Sequence, residues 1–501
     1  MRSIPVFVVL LVLLTSAASG TGWVGQQMVN YPNGDTSDQQ PCIAFDSGGR
    51  PWVVWIRNSG RMDTTMFYSR WDGSRWEPER GVSGNAPNTE FRTMPTLCFD
   101  SRSRAWLIWS NHNADNSTDI ASAFWTDTCW SPEIQVNLPD STELNYAPKV
   151  ACGGGQVWCV WYGGTTDVSP YSVFASRWSD YLCAWEPEMQ VSPPDGNYHW
   201  WCDVAVDANG TPHAVWCELD ATDNYPFFIN YSYYDGHQWA GPIRVNDTAR
   251  VCAAPWAAPR IVTDREGTMH VCYTGVAVGA TGRDIFYSRN DSSGWTPSVR
   301  VTQDTAYNYN EWYSDIAADR QDNVWVVWDR QDKDLDQFRV YAAHFDSRLW
   351  SSEQRLDDDM TYRDQGPSLA LGAGYLPWVV WTGVASQSYY DIYYNRYPSE
   401  GVTDRGDMPS SPVIAPSVSL LGRGCMVRYE LPSRARVSLR VYDLTGRLVS
   451  YLVESEQKAG THTAIWDGTD SRGRAVSAGV YLYRLLVGES EMVSKLVLVR
   501  N

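Results

Sequence analysis

Trp23-Val24-Gly25-Gln26-Gln27-Met28-Val29-Asn30 supplies at one end of the chain what a repeat lacks at the other. Working outward, a Trp follows a turn late in each of six successive units: Trp76, Trp130, Trp185, Trp239, Trp295 and Trp350, spaced 54 to 56 residues apart. A seventh unit opens at Pro367, passes Trp378 and Trp381, and stops near Tyr397 without its late Trp. A linear stack of repeats has no use for a displaced strand. A closed ring needs one, because closure removes both exposed edges. The reading is all-β: a seven-bladed β-propeller over residues 21–397, closed by an N-terminal strand, with a C-terminal Ig-like β-sandwich.

Within the first unit, Cys42-Ile43-Ala44-Phe45-Asp46 reads as inner strand A and Pro51 to Trp55 as strand B. Met66 to Trp71 reads as strand C, and a strand D runs from Trp76 to near Val82. Alternation and Gly/Asp turns favour strands over helices. Strand B carries aromatic pairs three apart, Trp52/Trp55, Trp106/Trp109, Trp158/Trp161, Trp325/Trp328 and Trp378/Trp381, replaced by His213/Trp216 and His270/Tyr273 in two units. Such repeated aromatics are packing between neighbouring sheets rather than a ligand site.

Arg2, the apolar run Val6 to Leu14 and the small residues Ala17-Ala18-Ser19-Gly20 form a secretory signal peptide over residues 1–20. No later stretch is long and apolar enough to span a membrane. Residues 21–416 carry 27 Arg and Lys against 50 Asp and Glu, and residues 417–501 carry 12 against 8. So acidic a balance argues against nucleic acid or an anionic membrane as partner. Lysine is scarce, only Lys149, Lys333, Lys458 and Lys495. The eleven Cys show no zinc spacing. Cys152 and Cys159 flank a Gly-rich turn symmetrically, and a disulfide across that hairpin is expected in an exported protein. Many other Cys stand where sister units have Phe, Val or Ile, as small buried hydrophobes. No cofactor and no metal is expected: Asp332, Asp334 and Asp336 alternate like a calcium loop but lack its Gly and distal Glu.

Residues 398–416 hold four Pro with Gly, Ser and Asp and read as a linker; the tripeptide Arg405-Gly406-Asp407 inside it is too short to carry an adhesion function. The tail, 417–501, alternates cleanly over Val437 to Asp443, Val480 to Leu485 and Val493 to Val499, the pattern of a small β-sandwich. The stretches 428–432, 437–449, 466–473, 477–485 and 495–500 make it resemble the Ig-like module of flagellar hook-capping proteins, which also serves as a C-terminal sorting domain in type IX-like secretion. That resemblance implies export, a sorting machinery as partner of residues 417–501, and release or attachment at the cell surface.

The turns Ser69-Arg70-Trp71-Asp72-Gly73-Ser74-Arg75-Trp76, Ser232 to Trp239 and Ser288 to Trp295 resemble the Asp-box of sialidase-like proteins, with relaxed spacing. The resemblance implies the fold; the box itself carries no catalysis.

Scaffold positions repeat from unit to unit, whereas a binding site needs different chemistry in each. Just before strand A stand Asp38, Arg92, Asn145, His199, Trp256, Glu311 and Asp364; two residues after the second strand B aromatic stand Arg57, Asn111, Gly163, Glu218, Gly275, Arg330 and Gly383. Tyr146, Trp200, Trp312, Tyr313, Tyr362 and Arg363 flank them. This mixture suits a glycan or a surface protein as ligand, through Arg92, Asn145, Tyr146, His199, Trp200, Glu218, Trp256, Glu311, Trp312 and Arg363. Ordinary solvated loop residues are the competing reading. A non-catalytic binding or adhesion module is the expected function, with a sialidase-like glycosidase, a propeller polysaccharide lyase or a purely structural surface component as alternatives. The resemblance to sialidases implies a clamp of Arg57, Arg92 and Arg330, with Tyr313 as nucleophile, Glu311 as its partner and Asp364 as acid/base. Phe91-Arg92-Thr93-Met94-Pro95 resembles the Phe-Arg-Ile-Pro motif of that family with one residue inserted. A lyase would use His199 or Tyr146 as base.

Overall fold

The computed structural model describes residues 23–397 and 417–498, apart from 31–35, 59–63, 83–90, 114–116, 139–143, 166–169, 221–226, 247–250, 254–257, 304–308, 333–336 and shorter gaps. The predicted signal peptide, the predicted linker with Arg405-Gly406-Asp407, Trp256, Tyr362, Asp334 and Asp336 lie outside the described residues. Two compact units divide the chain at Glu400. Among the described residues no helix is long and apolar enough to cross a membrane.

The first unit is all-β, built from antiparallel sheets in chain order, among them Ser37–Phe45/Pro51–Asn58/Thr64–Arg70/Arg80–Gly81 and Tyr309–Ala318/Asn323–Asp332/Gln337–Asp346/Gln354–Arg355. The last sheet, Gln365–Leu371/Pro377–Ser386/Tyr389–Arg396, takes its outer strand from Gln27–Met28. Gln27 stands opposite Tyr394 and Met28 opposite Tyr393. Val82, Val136, Val191, Val245, Val301 and Leu356 each donate a backbone N–H to the third strand of their own sheet, at 2.8 to 2.9 Å. Val29 makes the same bond to Ile392 O at 2.8 Å. Asn30 then accepts Ile392 N–H through Oδ1 at 2.9 Å, as Asn137 does for Ile120 and Asn246 for Ile229.

The fourth strands are shorter than the alternation predicts. Trp76 makes an isolated bridge to Trp71, and Arg80–Gly81 makes the next rung. Pro78 lies between them, and Pro has no N–H to offer a ladder. Pro132, Pro187 and Pro297 hold the same place after their Trp, so these edges are blunted against pairing with another chain.

The late Trp of each sheet packs on strand B or C of the preceding one. Trp130 lies edge-on to Trp52 and Tyr68, Trp185 to Trp106, and Trp239 to Trp158. Trp76 packs on Trp378 and Tyr394, and Trp23 on Trp325. The second strand B aromatics, Trp55, Trp109, Trp161, Trp216, Tyr273, Trp328 and Trp381, are buried.

The expected disulfide is corrected. Cys152 is bonded to Cys98 of the preceding inner strand, and Cys159 is a free, buried thiol. The turn tip is Gly154–Gly155, both at positive φ, so Cys152 stands opposite Val157 and Cys159 opposite Val150. The hairpin register is therefore offset from the symmetric one, and the side chain of Cys152 meets the neighbouring sheet instead. Cys202, Cys217 and Cys272 are buried as small hydrophobes, whereas Cys129 and Cys183 are exposed.

The second unit packs Ser417–Leu421/Gly424–Leu431/Gly460–Trp466 and Leu448–Gln457/Ala435–Asp443/Gly479–Val487/Ser490–Leu498 as two sheets. Val437, Leu439, Val441, Trp466, Tyr483 and Leu485 form its core.

Candidate functional site

Strand A begins earlier than its pattern suggests, and this relocates the predicted ring. The first inner strand starts at Ser37, with a bulge between Gln39 and Cys42; Asp38 pairs with Arg57 inside the sheet. The same break recurs at Thr93/Thr96, Tyr146/Lys149, Trp200/Asp203, Glu311/Ser314 and Gln365/Ser368. Gln40, Met94, Ala147 and Trp201 sit there in the left-handed region, with φ of 49 to 54°. Such a conformation costs a non-glycine residue about 1–3 kcal/mol, so it recurs because the surroundings impose it. Met94 also lies within Phe91-Arg92-Thr93-Met94-Pro95.

The residues before each bulge face into the sheet. Arg57 donates to both Asp38 oxygens at 2.7 and 2.6 Å and to Glu79 at 2.6 Å. Arg92 pairs with Glu133 at 3.0 Å, and Arg330 with Glu311 at 2.7 Å and Glu353 at 2.8 Å. These three arginines lie in three different sheets, each held by carboxylates of its own sheet. Asn145 Oδ1 accepts Trp161 Nε1 at 3.0 Å, and Asp364 Oδ1 accepts Trp381 Nε1 at 2.9 Å. His199 Nδ1 accepts Trp216 Nε1 at 3.0 Å while Nε2 meets Asp195 at 3.0 Å. Glu218 takes Asn197 at 2.9 Å and also Asn230. All of these candidates except Arg57 are buried, and Arg57 is half-buried. Burial pushes Glu311 up to about 8 against the pull of Arg330, and pushes Asp364 up to about 7 with Asp357 adding to it.

What faces solvent from the predicted set is Tyr146, Trp200, Trp312, Tyr313 and Arg363, half-buried or exposed. Tyr146 belongs to an aromatic shelf that sequence reasoning missed. Its ring centroid lies 6.0 Å from His112, 5.8 Å from Tyr162 and 6.3 Å from Tyr171; Tyr162 lies 5.9 Å from Trp201. The Tyr162 phenol is raised by burial, then by Cys202, Tyr171, Tyr146 and Tyr313, so Tyr313 lies near enough for its charge to be felt.

Below the bulges the inner strands present one polar residue each: Cys42, Thr96, Lys149, Asp203, Arg260, Asp315 and Ser368. Their outward backbone donors have no strand partner, and the ring supplies one. Asp203 accepts Ile261 N–H at 3.0 Å, Asp315 accepts Leu369 N–H at 2.8 Å, and Ser368 accepts Ile43 N–H at 3.4 Å. Burial, followed by the charge of Arg260, lowers Lys149; burial raises Asp203. One level above, Asp329 accepts Tyr313 N–H and Gly366 N–H, both at 2.9 Å, and burial pushes it up to about 7. A signal for this ring exists in the sequence: Cys42, Thr96, Lys149, Arg260 and Ser368 each follow a Pro.

Residues 420–487 match the FlgD Ig-like domain. No curated protein matches the sequence. Among solved structures, the chain is similar to a PL25 ulvan lyase, a polysaccharide lyase, at 10% identity and a TM-score of 0.51, covering 74% of this chain and 95% of that one. It is also similar to a protein of unknown function from Dyadobacter fermentans (12% identity, TM-score 0.45, 75% and 98% covered) and to a Penicillium chrysogenum α-L-arabinanase (14%, 0.43, 62% and 93%). The first unit has a β-propeller fold, and the second contains an Ig-like domain.

Proposed function

We propose that this is an exported protein whose first unit, a seven-bladed propeller closed by the Gln27–Met28 strand, binds a saccharide chain across the mouth of its channel. The observation that carries this is the shelf of His112, Tyr146, Tyr162, Tyr171 and Trp201, a run of ring faces from three successive inner regions beside a polar throat. Aromatic faces cover the apolar C–H surfaces of sugars, and polar groups at the rim fix their hydroxyls. Closure is supported by the Val29 and Asn30 bonds to Ile392, and by Gln365–Leu371 lying against Ser37–Phe45. Two of the three relaxed Asp-boxes are supported by Asp72 and Asp235, each accepting two backbone N–H groups of its own turn, as Asp346 does in the turn before Trp350. A surface location and use of the Ig-like module for sorting fit the same reading, with residues 1–20 as signal peptide and 398–416 as linker.

A panel of neutral, sialylated and uronic-acid saccharides, incubated with the full chain and read by calorimetry and by mass spectrometry, tests it. Binding without new products supports a binding module. Released sialic acid or unsaturated oligosaccharides would replace that reading with an enzyme. A panel neither bound nor changed would leave the surface-scaffold reading in its place.

A further inference from the structure

The propeller is strongly acidic, and its buried or half-buried arginines are for the most part matched to carboxylates: Arg57 to Asp38 and Glu79, Arg92 to Glu133, Arg330 to Glu311 and Glu353. Arg283 is not matched in this way. Among the described residues no carboxylate stands within ion-pair distance of it, and its Nη1 is buried with no hydrogen-bond partner. Burial lowers its affinity for its proton. A half-buried guanidinium with no counter-ion is costly, and it persists where something else supplies the charge.

Its surroundings hold it in a fixed pose. The guanidinium carbon lies 4.1 Å over the Trp312 ring, and Trp312 Nε1 donates to Gln331 Oε1 at 3.1 Å. The Arg283 carbonyl accepts Glu311 N–H at 3.2 Å. Stacking on a ring leaves the edge of a guanidinium for in-plane hydrogen bonds, the geometry that matches a carboxylate or sulfate. The position is also right. Asp284 stands opposite Gly275, which places Arg283 at the same end of the strands as His112 opposite Thr118. Trp312 precedes Tyr313, which reaches Tyr162 electrostatically.

We propose that Arg283, seated over the Trp312 ring, recognises an oxyanion, the carboxylate or sulfate ester of an acidic sugar, on the saccharide bound at the mouth. This rests on the saccharide reading above. The test is calorimetric titration of the full chain with a glucuronate-containing oligosaccharide, its carboxyl-reduced neutral counterpart, and inorganic sulfate. The wild type is expected to prefer the acidic oligosaccharide by about tenfold or more, as a charge-assisted bidentate contact implies. Arg283→Gln is expected to lose that preference while keeping the neutral affinity, and Arg283→Lys to keep part of it. Sulfate binding to the wild type and not to Arg283→Gln would also support the assignment and show that the anion alone suffices. Equal affinity for both oligosaccharides in the wild type overturns the role of Arg283 and leaves the saccharide reading standing. Failure of both to bind overturns the two together.

Discussion

Trp23 lies edge-on to Trp325, with ring centroids 5.8 Å apart across 302 residues of sequence. It fills, from the far end of the chain, the place that Trp130 takes against Trp52 and Trp185 against Trp106. The late Trp missing from the last repeat is therefore present in space. Truncating a large buried aromatic to Ala costs about 3–5 kcal/mol. Trp23→Ala is expected to fall in that range by denaturant unfolding, and Tyr181→Ser, at a side chain 94% exposed, to change nothing measurable.

The Cys98–Cys152 bond ties two neighbouring inner strands and closes a loop of 54 residues. A loop of that size gives about 4 kcal/mol in the chain-entropy account. Replacing both cysteines by Ser should lower the unfolding midpoint, and non-reducing peptide mapping should recover the 98–152 pair. A 152–159 peptide would contradict the register of the Gly154–Gly155 hairpin.

Asp329 and Asp364, both near 7, and Glu311, near 8, titrate higher in the folded chain than ordinary carboxyls. Between the two values the folded state holds more protons than the unfolded one, so stability falls as pH rises. Their contribution is full below the ordinary carboxyl values of 3.8 and 4.5 and is lost as pH passes through 7 to 8. The thermal midpoint is expected to decline from about pH 5 to about pH 9, and an Asp329→Asn, Asp364→Asn variant to flatten the decline. An unchanged slope in that variant would place the titration elsewhere.

Shelf and scaffold should separate under mutation. Trp201→Ala and Tyr162→Ala are expected to weaken saccharide binding by about tenfold or more, on the scale of a lost stacking face. Arg92→Ala and His199→Ala are expected to lower the melting temperature instead, since each removes a buried partner of Glu133 or of Trp216 and Asp195. Melting curves and titrations on the same four variants check both halves.

Much of the architecture was legible because late Trp and Asp turns recur at a nearly constant interval, and periodicity survives without any knowledge of contacts. The candidate site was less legible, and Asp38 shows why. Pro41 and the left-handed Gln40 interrupt the alternation, so strand A reads as starting at Cys42 when it starts at Ser37. A residue placed in a loop by that reading is in fact a rung of the sheet. Lys149 was visible as a rare lysine inside an apolar pattern, but its place in the throat depends on inner strands that meet only in three dimensions. The pairing of Cys152 turned on two residues of hairpin register, which two glycines at positive φ decide.

Gln27 finds its partner in Tyr394. The first strand to emerge during synthesis thus waits for the last strand of the first unit. At about 5–20 residues per second, that delay is on the order of tens of seconds. Through that interval Gln27–Met28 has no strand to pair with, and no product that stops before Tyr389 can supply one. Pairing of that strand is therefore a readout of synthesis through the end of the first unit, and a chain released before Tyr394 carries an unpaired strand that quality control can detect.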